Sequence, residues 1–539
     1  MKSDGSVVAW GHSAGGGDLG TAAARLGSGV VQIIPNGYAF AALKSDGSLV
    51  TWGAASFGGD SSGVAADLLS GVVTVYPLGS GFAAIKTDGS AIVWGASTPS
   101  DSFVDFPGLS ANVASITANR AAFAALKTDG SVVTWGASAG GGDSVTGAPP
   151  QALGSGVTKI YRTRKAFAAL KSGGSVVTWG DADFGGDSTL VAPNLSSNVV
   201  EIYGHDMRGK DMGSAFVAVK SDGSAVVWGD SLHGGDASLV LGQLTSGVQK
   251  VVSNGLDSFA ALKSNGSVVV WGDSGNGGEV TGGTATALSS GVVDVVGNGG
   301  YAFAARKSNG SVVAWGDSSY GGDVDTEAPN LSSGVLKIVA TSEAFAALKS
   351  NGSVVAWGGS TNGGDTSSVD SDLVGVTDIV ANDSAFAALK SDGSVVVWGD
   401  AGFGGDASSV SGQLADVVRV VPGGLAFAAL KSNGSVVAWG DVDSGGSLGA
   451  SASKLNGGVV EIVANDAAFA ALKNDGSVVT WGNSEYGGVS NSVAASLSSG
   501  VKSIVGSEGA FAALRVDGSV VVWGAAEYGA PPPLLKPLP

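Results

Sequence analysis

The sequence predicts an all-β protein assembled from small sheets set radially around an axis. Three observations carry that prediction. All 13 tryptophans fall in the same Trp-Gly pair, and they recur at spacings of 41 to 49 residues from Trp10 to Trp523. A fixed period in this range belongs to propellers and solenoids. Near-copies of one phrase, AFAALKSDGSVVVWGD at 385–400, run the length of the chain. Both strands of that phrase are apolar on both faces, as strands are when their sheet is packed between two others.

Each unit reads as three strands. Strand A is of the VVEIVAN type (459–465), strand B is AFAALK and strand C is SVVVWG. Asp-Gly or Asn-Gly joins B to C in nearly every copy, which predicts a hairpin with a type I′ turn. In strand B, Phe386 and Ala388 oppose Ala387 and Leu389; in strand C, Val395 and Val397 oppose Val396 and Trp398. Alanines let neighbouring sheets converge, and the bulky tryptophan fills the space where they diverge. That is the logic of a β-propeller. Trp10, Trp52, Trp94, Trp135, Trp179, Trp228, Trp271, Trp315, Trp357, Trp398, Trp439, Trp481 and Trp523 are therefore expected in the core.

The stretch VVEIVANDAAFAALKNDGSVVTWGNSEYGG (459–488) resembles the regulator-of-chromosome-condensation (RCC) repeat, with its apolar strand, small-residue turn, Trp-Gly hairpin and Gly-rich exit loop. The short period is closer to bacterial members such as the propeller-type β-lactamase inhibitor protein. The resemblance covers 12 full copies and an N-terminal half repeat, and it implies a propeller, typically of seven blades. Two features depart from the family: the His that often follows the A–B turn is absent, and the exit motif is mostly Gly-Gly-Asp. The implied fold survives both departures; a specific function does not carry over.

Twelve A–B pairs and 13 C strands exceed one ordinary ring. Two tandem propellers are expected, over 1–300 and 301–530, with the N-terminal half repeat supplying strand C to a later A–B pair. A continuous superhelix of blades is the alternative. Residues 531–539 read as a Pro-rich tail. The chain opens in mid-repeat, with Met1 in place of the repeat's Leu, which leaves a longer parent chain open. No signal peptide is visible.

Composition narrows function. There are no cysteines, so disulfides and thiolate chemistry are excluded. A net charge of −18 argues against nucleic acid and anionic lipid as partners. No apolar run is long enough to span a bilayer. Three histidines, with no nucleophile elbow and no phosphate loop outside the repeat turns, give no support to catalysis, and no cofactor is expected. The compartment stays open between cytoplasm and secretion. In a eukaryotic secretory context the sequons at Asn194, Asn265, Asn309, Asn330, Asn351, Asn382 and Asn433 would be glycosylation sites.

If A, B and C run up, down and up, the A–B turns and the exit loops share one face. The Asp-Gly face is uniform: a Lys or Arg precedes the turn in all 13 copies, which reads as a locally neutralised rim. The other face varies. Apart from those 13, the chain has 15 basic residues, and six of them, Arg120, Arg162, Arg164, Lys165, Arg208 and Lys210, fall in three consecutive A–B turns. Equivalent later turns carry Asp257, Glu343, Asp383, Asp466 and Glu508. Variable loops on a rigid scaffold are where binding resides. The expected contact site for an acidic protein partner, or for another copy of the chain, is therefore Arg120, Arg162, Arg164, Lys165, His205, Arg208 and Lys210. Neutral drift in surface loops is the competing explanation. The Gly-Gly-Asp carboxylates (Asp18, Asp60, Asp143, Asp187, Asp236, Asp323, Asp365 and Asp406, with Glu279 as the ninth) read as turn caps rather than Ca²⁺ ligands. His205, Asp206, His233 and Asp236 could gather on one face, but no wider zinc motif surrounds them. The expected function is a non-enzymatic interaction scaffold. The alternative is a structural array assembling into an extracellular filament or surface layer.

Overall fold

The computed structural model describes most of residues 18–524 together with Val7 and Ala9. Outside the description lie the other residues before 18, and 37, 79–80, 96–110, 120–121, 143–152, 205–213, 325–326, 485, 491–492, 495, 507–509, 517–519 and 525–539. Twelve three-stranded antiparallel sheets follow one another, each in the order A-B-C. We number these blades 1 (30–53), 2 (72–95), 3 (113–136), 4 (157–180), 5 (199–229), 6 (248–272), 7 (292–316), 8 (335–358), 9 (376–399), 10 (417–440), 11 (459–482) and 12 (501–524). Among the described residues every A–B pair has a strand C from its own repeat. The strand C expected from the N-terminal half repeat lies, apart from Val7 and Ala9, outside the described residues.

Within a blade the register is constant. In blade 9, Phe386 pairs with Trp398 across strands B and C, and their rings stack with centroids 5.2 Å apart. Strand A of every blade carries a bulge at its second residue, as between Val376 and Asp378.

The B–C hairpin corrects the expected type I′ turn. At 44–48 the Lys44 amide donates to the Ser48 carbonyl and the Gly47 amide to the Lys44 carbonyl. Gly47 has φ +76°, whereas Asp46 has no positive φ. One left-handed residue after an ordinary turn is a three-residue loop with a glycine bulge. The Asp or Asn is selected by its side chain instead: Asp46 Oδ1 accepts from the Ser48 amide at 2.9 Å and from the Ser48 hydroxyl at 2.6 Å. Asn265 does the same with Ser267.

The A strands of consecutive blades touch, and so lie near the axis, while the C strands lie outside. Linkers wedge between outer strands. The one between blades 2 and 3 lies mostly outside the described residues. Each of the others drives a buried leucine inward, such as Leu244, Leu288 or Leu455, and the Leu288 carbonyl accepts from the Val268 amide. This bond covers part of the outer edge of strand C. The repeat Lys is held here rather than by its own turn alone: Lys431 Nζ donates to the Gln413 carbonyl at 2.9 Å and Lys473 Nζ to the Lys454 carbonyl at 2.9 Å.

The core lies between blades. Alanines of one strand B meet the Phe and Trp of the next blade, as Ala385 and Ala387 meet Phe427 and Trp439. The described tryptophans from Trp52 to Trp523 are all buried; Trp10 lies outside the description. Most blades are also stapled to the one before, as where Trp439 Nε1 donates to the Gly404 carbonyl at 3.1 Å. Gly404 has φ +107°, and a Cβ there would sit 2.7 Å from the Phe427 ring. The Gly-Gly of the exit loop is thus a packing requirement. The core packing between blades continues across residue 300. Ala260 and Leu262 of blade 6 pack on Val292, Phe303 and Trp315 of blade 7 as other pairs do.

Candidate interaction face

In eight blades strand A is followed by an Asn or Thr that ties the A–B turn to the exit loop. Asn382 Oδ1 accepts from the Ala385 amide at 2.7 Å, and its Nδ2 donates to the Phe403 carbonyl at 2.7 Å. Thr163 and Thr341 do the same work with a hydroxyl. Turns and exit loops therefore share one face, as the strand directions require. Asn382 is buried, which removes it as a glycosylation site on the folded chain and corrects that expectation.

Through blades 7 to 11 the turns are joined by backbone. The Gly299 amide donates to Ser342, Ser342 to Asp383, Asp383 to Gly424 and Gly424 to Asp466, at 2.9–3.1 Å. At Gly424 the approach leaves no room for a side chain: a Cβ there would lie 2.4 Å from the Asp466 carbonyl oxygen. These five turns line a cup of about 580 Å³ whose charged lining residues are Asp383 and Asp466. No group of three His, Cys, Asp or Glu suited to a metal occurs among the described residues.

Below the turns, the third residue of strand A alternates in charge through eight blades: Lys159, Glu201, Lys250, Asp294, Lys337, Asp378, Arg419 and Glu461. Pairs form between blades: Lys159 with Glu201 at 3.3 Å, Lys250 with Asp294 at 3.1 Å, and Lys337 with Asp378 at 2.8 Å. Partial burial opposes ionisation of Glu201, but hydrogen bonds from Tyr161 and Lys159 hold its carboxyl below the usual glutamate range. Burial and the bond to Glu201 push the Tyr161 hydroxyl up.

The expected basic sector is described in part. Arg162 is exposed at the end of strand A in blade 4. Lys165 is half-buried with Nζ 4.7 Å from the Phe184 ring centre. Arg164 is buried, unlike the exposed turn cation the sequence leads one to expect. Arg120, His205, Asp206, Arg208 and Lys210 lie outside the described residues. His233 does not pair with Asp236. Its Nδ1 meets Asp230 at 2.6 Å and its Nε2 lies 3.6 Å from Asp257 of the next blade. Asp236 caps its own turn through the Ser238 amide at 2.7 Å, as Asp18, Asp60, Asp187, Asp365 and Asp406 cap theirs.

No family model matches the chain, and no curated protein matches its sequence. Solved structures with local likeness include an RCC1 protein and a WD40 ectodomain. Prp20p from Saccharomyces cerevisiae, described with its binding to Gsp1p and histones, is 15% identical over 51% of this chain and 81% of its own, with a TM-score of 0.28. The CRINKLY WD40 ectodomain of the Arabidopsis thaliana receptor kinase ACR4 is 19% identical over 53% and 97%, with a TM-score of 0.28. The computationally designed Ika8 protein is 14% identical over 61% and 96%, with a TM-score of 0.22. Scores this low carry nothing about function.

Proposed function

We propose that this chain is a non-enzymatic scaffold for protein–protein contact, holding an acidic partner on the A–B turn face of blades 3 to 5. The observation that supports it is the uneven charge of otherwise repetitive turns. Six of the 15 cations outside the repeat position fall in three consecutive turns, in a chain of net charge −18. The exposed Arg162 stands in that sector, and the cup of blades 7 to 11 bears carboxylates. Such a face steers an acidic partner to one side of the array.

Charge reversal tests the reading. Arg162→Glu with Arg208→Glu should weaken capture of an Asp/Glu-rich peptide by roughly tenfold or more at low salt, measured by fluorescence anisotropy. Equal binding by variant and parent would sink it. Self-assembly into a filament or surface layer is the second reading, supported by the uniformity of the blades. Negative-stain microscopy separates the two as discrete particles against filaments.

A further inference from the structure

Strand B of blade 7 carries one residue that blade packing does not require. In every other blade the residue before the repeat Lys or Arg is Leu, Ile or Val. It packs toward the following blade, as Leu348 of blade 8 meets Phe386 and Trp398 of blade 9. In blade 7 the residue is Arg306. A cation set into an apolar contact needs an acceptor. Arg306 has none among the described residues. It is half-buried, and its Nε is buried with no hydrogen-bond partner. Its terminal nitrogens, neither sealed nor bonded, are the ends that face outward.

The repeat defines the surroundings. Between blades 9 and 10 the equivalent Leu389 lines a crevice of about 60 Å³ with Asp378, Val418 and Arg419, beside the inner strands A. The same positions between blades 7 and 8 are Asp294, Leu336 and Lys337. Asp294 lies directly across from Arg306 in the sheet, yet its carboxylate meets Lys250 of blade 6 at 3.1 Å. Lys337 is held by Asp378 of blade 9 at 2.8 Å. The ladder pairs are thus complete without Arg306. Three cations, Lys250, Arg306 and Lys337, stand against two carboxylates, Asp294 and Asp378.

We propose that Arg306 is the receiving group of a binding site beside the inner strands of blades 7 and 8, and that its ligand is a carboxylate on an acidic, partly apolar polypeptide segment. A single positive charge in excess suits a monoanion. A phosphate dianion would meet repulsion from Asp294 and Asp378. A guanidinium takes a carboxylate through two parallel bonds, which fixes its orientation as well as its charge. Val293 and Leu336, next to Asp294 and Lys337 in strands A, are 44% and 57% exposed and offer apolar contact. The site is separate from the basic turns of blades 3 to 5 and does not rest on them.

The test is fluorescence anisotropy of a dye-labelled peptide of alternating Glu and Leu on the full chain. It is run in the Arg162→Glu/Arg208→Glu background, where the basic turns are reversed. The peptide still binds there, and adding Arg306→Leu weakens it roughly tenfold or more. That change restores the repeat's own residue, so the thermal melt stays at or above the background value and lost binding is not lost fold. Arg306→Lys keeps the charge without the fork and binds with intermediate strength. Acetate competes with the peptide better than inorganic phosphate at equal ionic strength. No peptide binding in that background overturns the proposal, and so does equal binding with and without Arg306→Leu. Stronger competition by phosphate overturns it as well. The basic-turn reading stands or falls on Arg162 and Arg208 in the parent chain, so the two fail separately.

Discussion

Blades 7 to 11 and blades 4 to 6 are built from one repeat, yet they spend their exceptions differently. In blades 7 to 11 the A–B turns are short and the backbone passes hydrogen bonds from Gly299 to Asp466. Small residues occupy the close approaches, and the linker between blades 9 and 10 presents serine to solvent. In blades 4 to 6 an inserted turn, an exposed Arg162 and protruding leucines break the pattern without altering the sheets beneath. The difference teaches that the blade core and its outer decorations vary independently. Residues facing the next blade are fixed by packing, and those facing solvent are free to vary.

The largest break to that comparison comes from the core. Trp439→Ala removes a buried ring, its stack on Phe427 and its bond to Gly404, and should cost about 3–5 kcal/mol. Trp228→Ala in blade 5 should cost a similar amount, because the same bond runs from Trp228 to Gly185. Denaturant unfolding followed by circular dichroism measures both. A much smaller loss in blade 5 would show that its core had loosened along with its surface.

The charge ladder gives a smaller effect. Lys337→Asp sets like charges together at blades 8 and 9, and adding Asp378→Lys restores the pair with its sign exchanged. Both side chains are about half exposed, so the single change should cost no more than about 1 kcal/mol. Most of it should return in the double swap. The double variant, however, now faces its outer neighbours, Asp294 and Arg419, with reversed sign. Incomplete recovery in a double-mutant cycle would show that the ladder couples beyond pairs.

The smallest effect is acid sensitivity. Hydrogen bonds from Ser394, first from its hydroxyl and then from its amide, hold the Asp392 carboxyl below the ordinary aspartate value of 3.8. A depressed folded value contributes stability above the unfolded value, and that stability is lost as pH falls through the folded one. The loss therefore lies below pH 3.8. Blades 6, 7, 8 and 10 carry Asn at this position and have nothing there to titrate. Asp392→Asn should leave the melting temperature at neutral pH unchanged and slightly reduce its fall at about pH 3. A larger fall in the variant would contradict the assigned cause.

The sheets were legible in the sequence because their signals repeat: Trp-Gly, the alanine strand and the hairpin glycine each recur at one period. The turn type was not. Asp-Gly suits both a type I′ turn and a glycine bulge, and only the sign of φ at Asp46 separates them. The basic sector was visible as a cluster of residue types, but the burial of Arg164 is set by tertiary packing that the turn's own sequence does not carry. Two further signals were readable and lay outside the motifs that draw attention. The alternation from Lys159 to Glu461 appears only when strands A are aligned with one another. Arg306 at a leucine position appears only when strands B are aligned in the same way.

The backbone chain from Gly299 to Asp466 has a mechanical consequence. Its bonds run around the axis, across the blades rather than along them, so they form a hoop. Tension that spreads the blades apart falls on this hoop one turn at a time, because each turn is tied to the next by one backbone amide, joined between blades 8 and 9 by the Ser342 hydroxyl. The array in this region should yield like a spring with equal coils, opening in blade-sized steps instead of giving way at one weak joint.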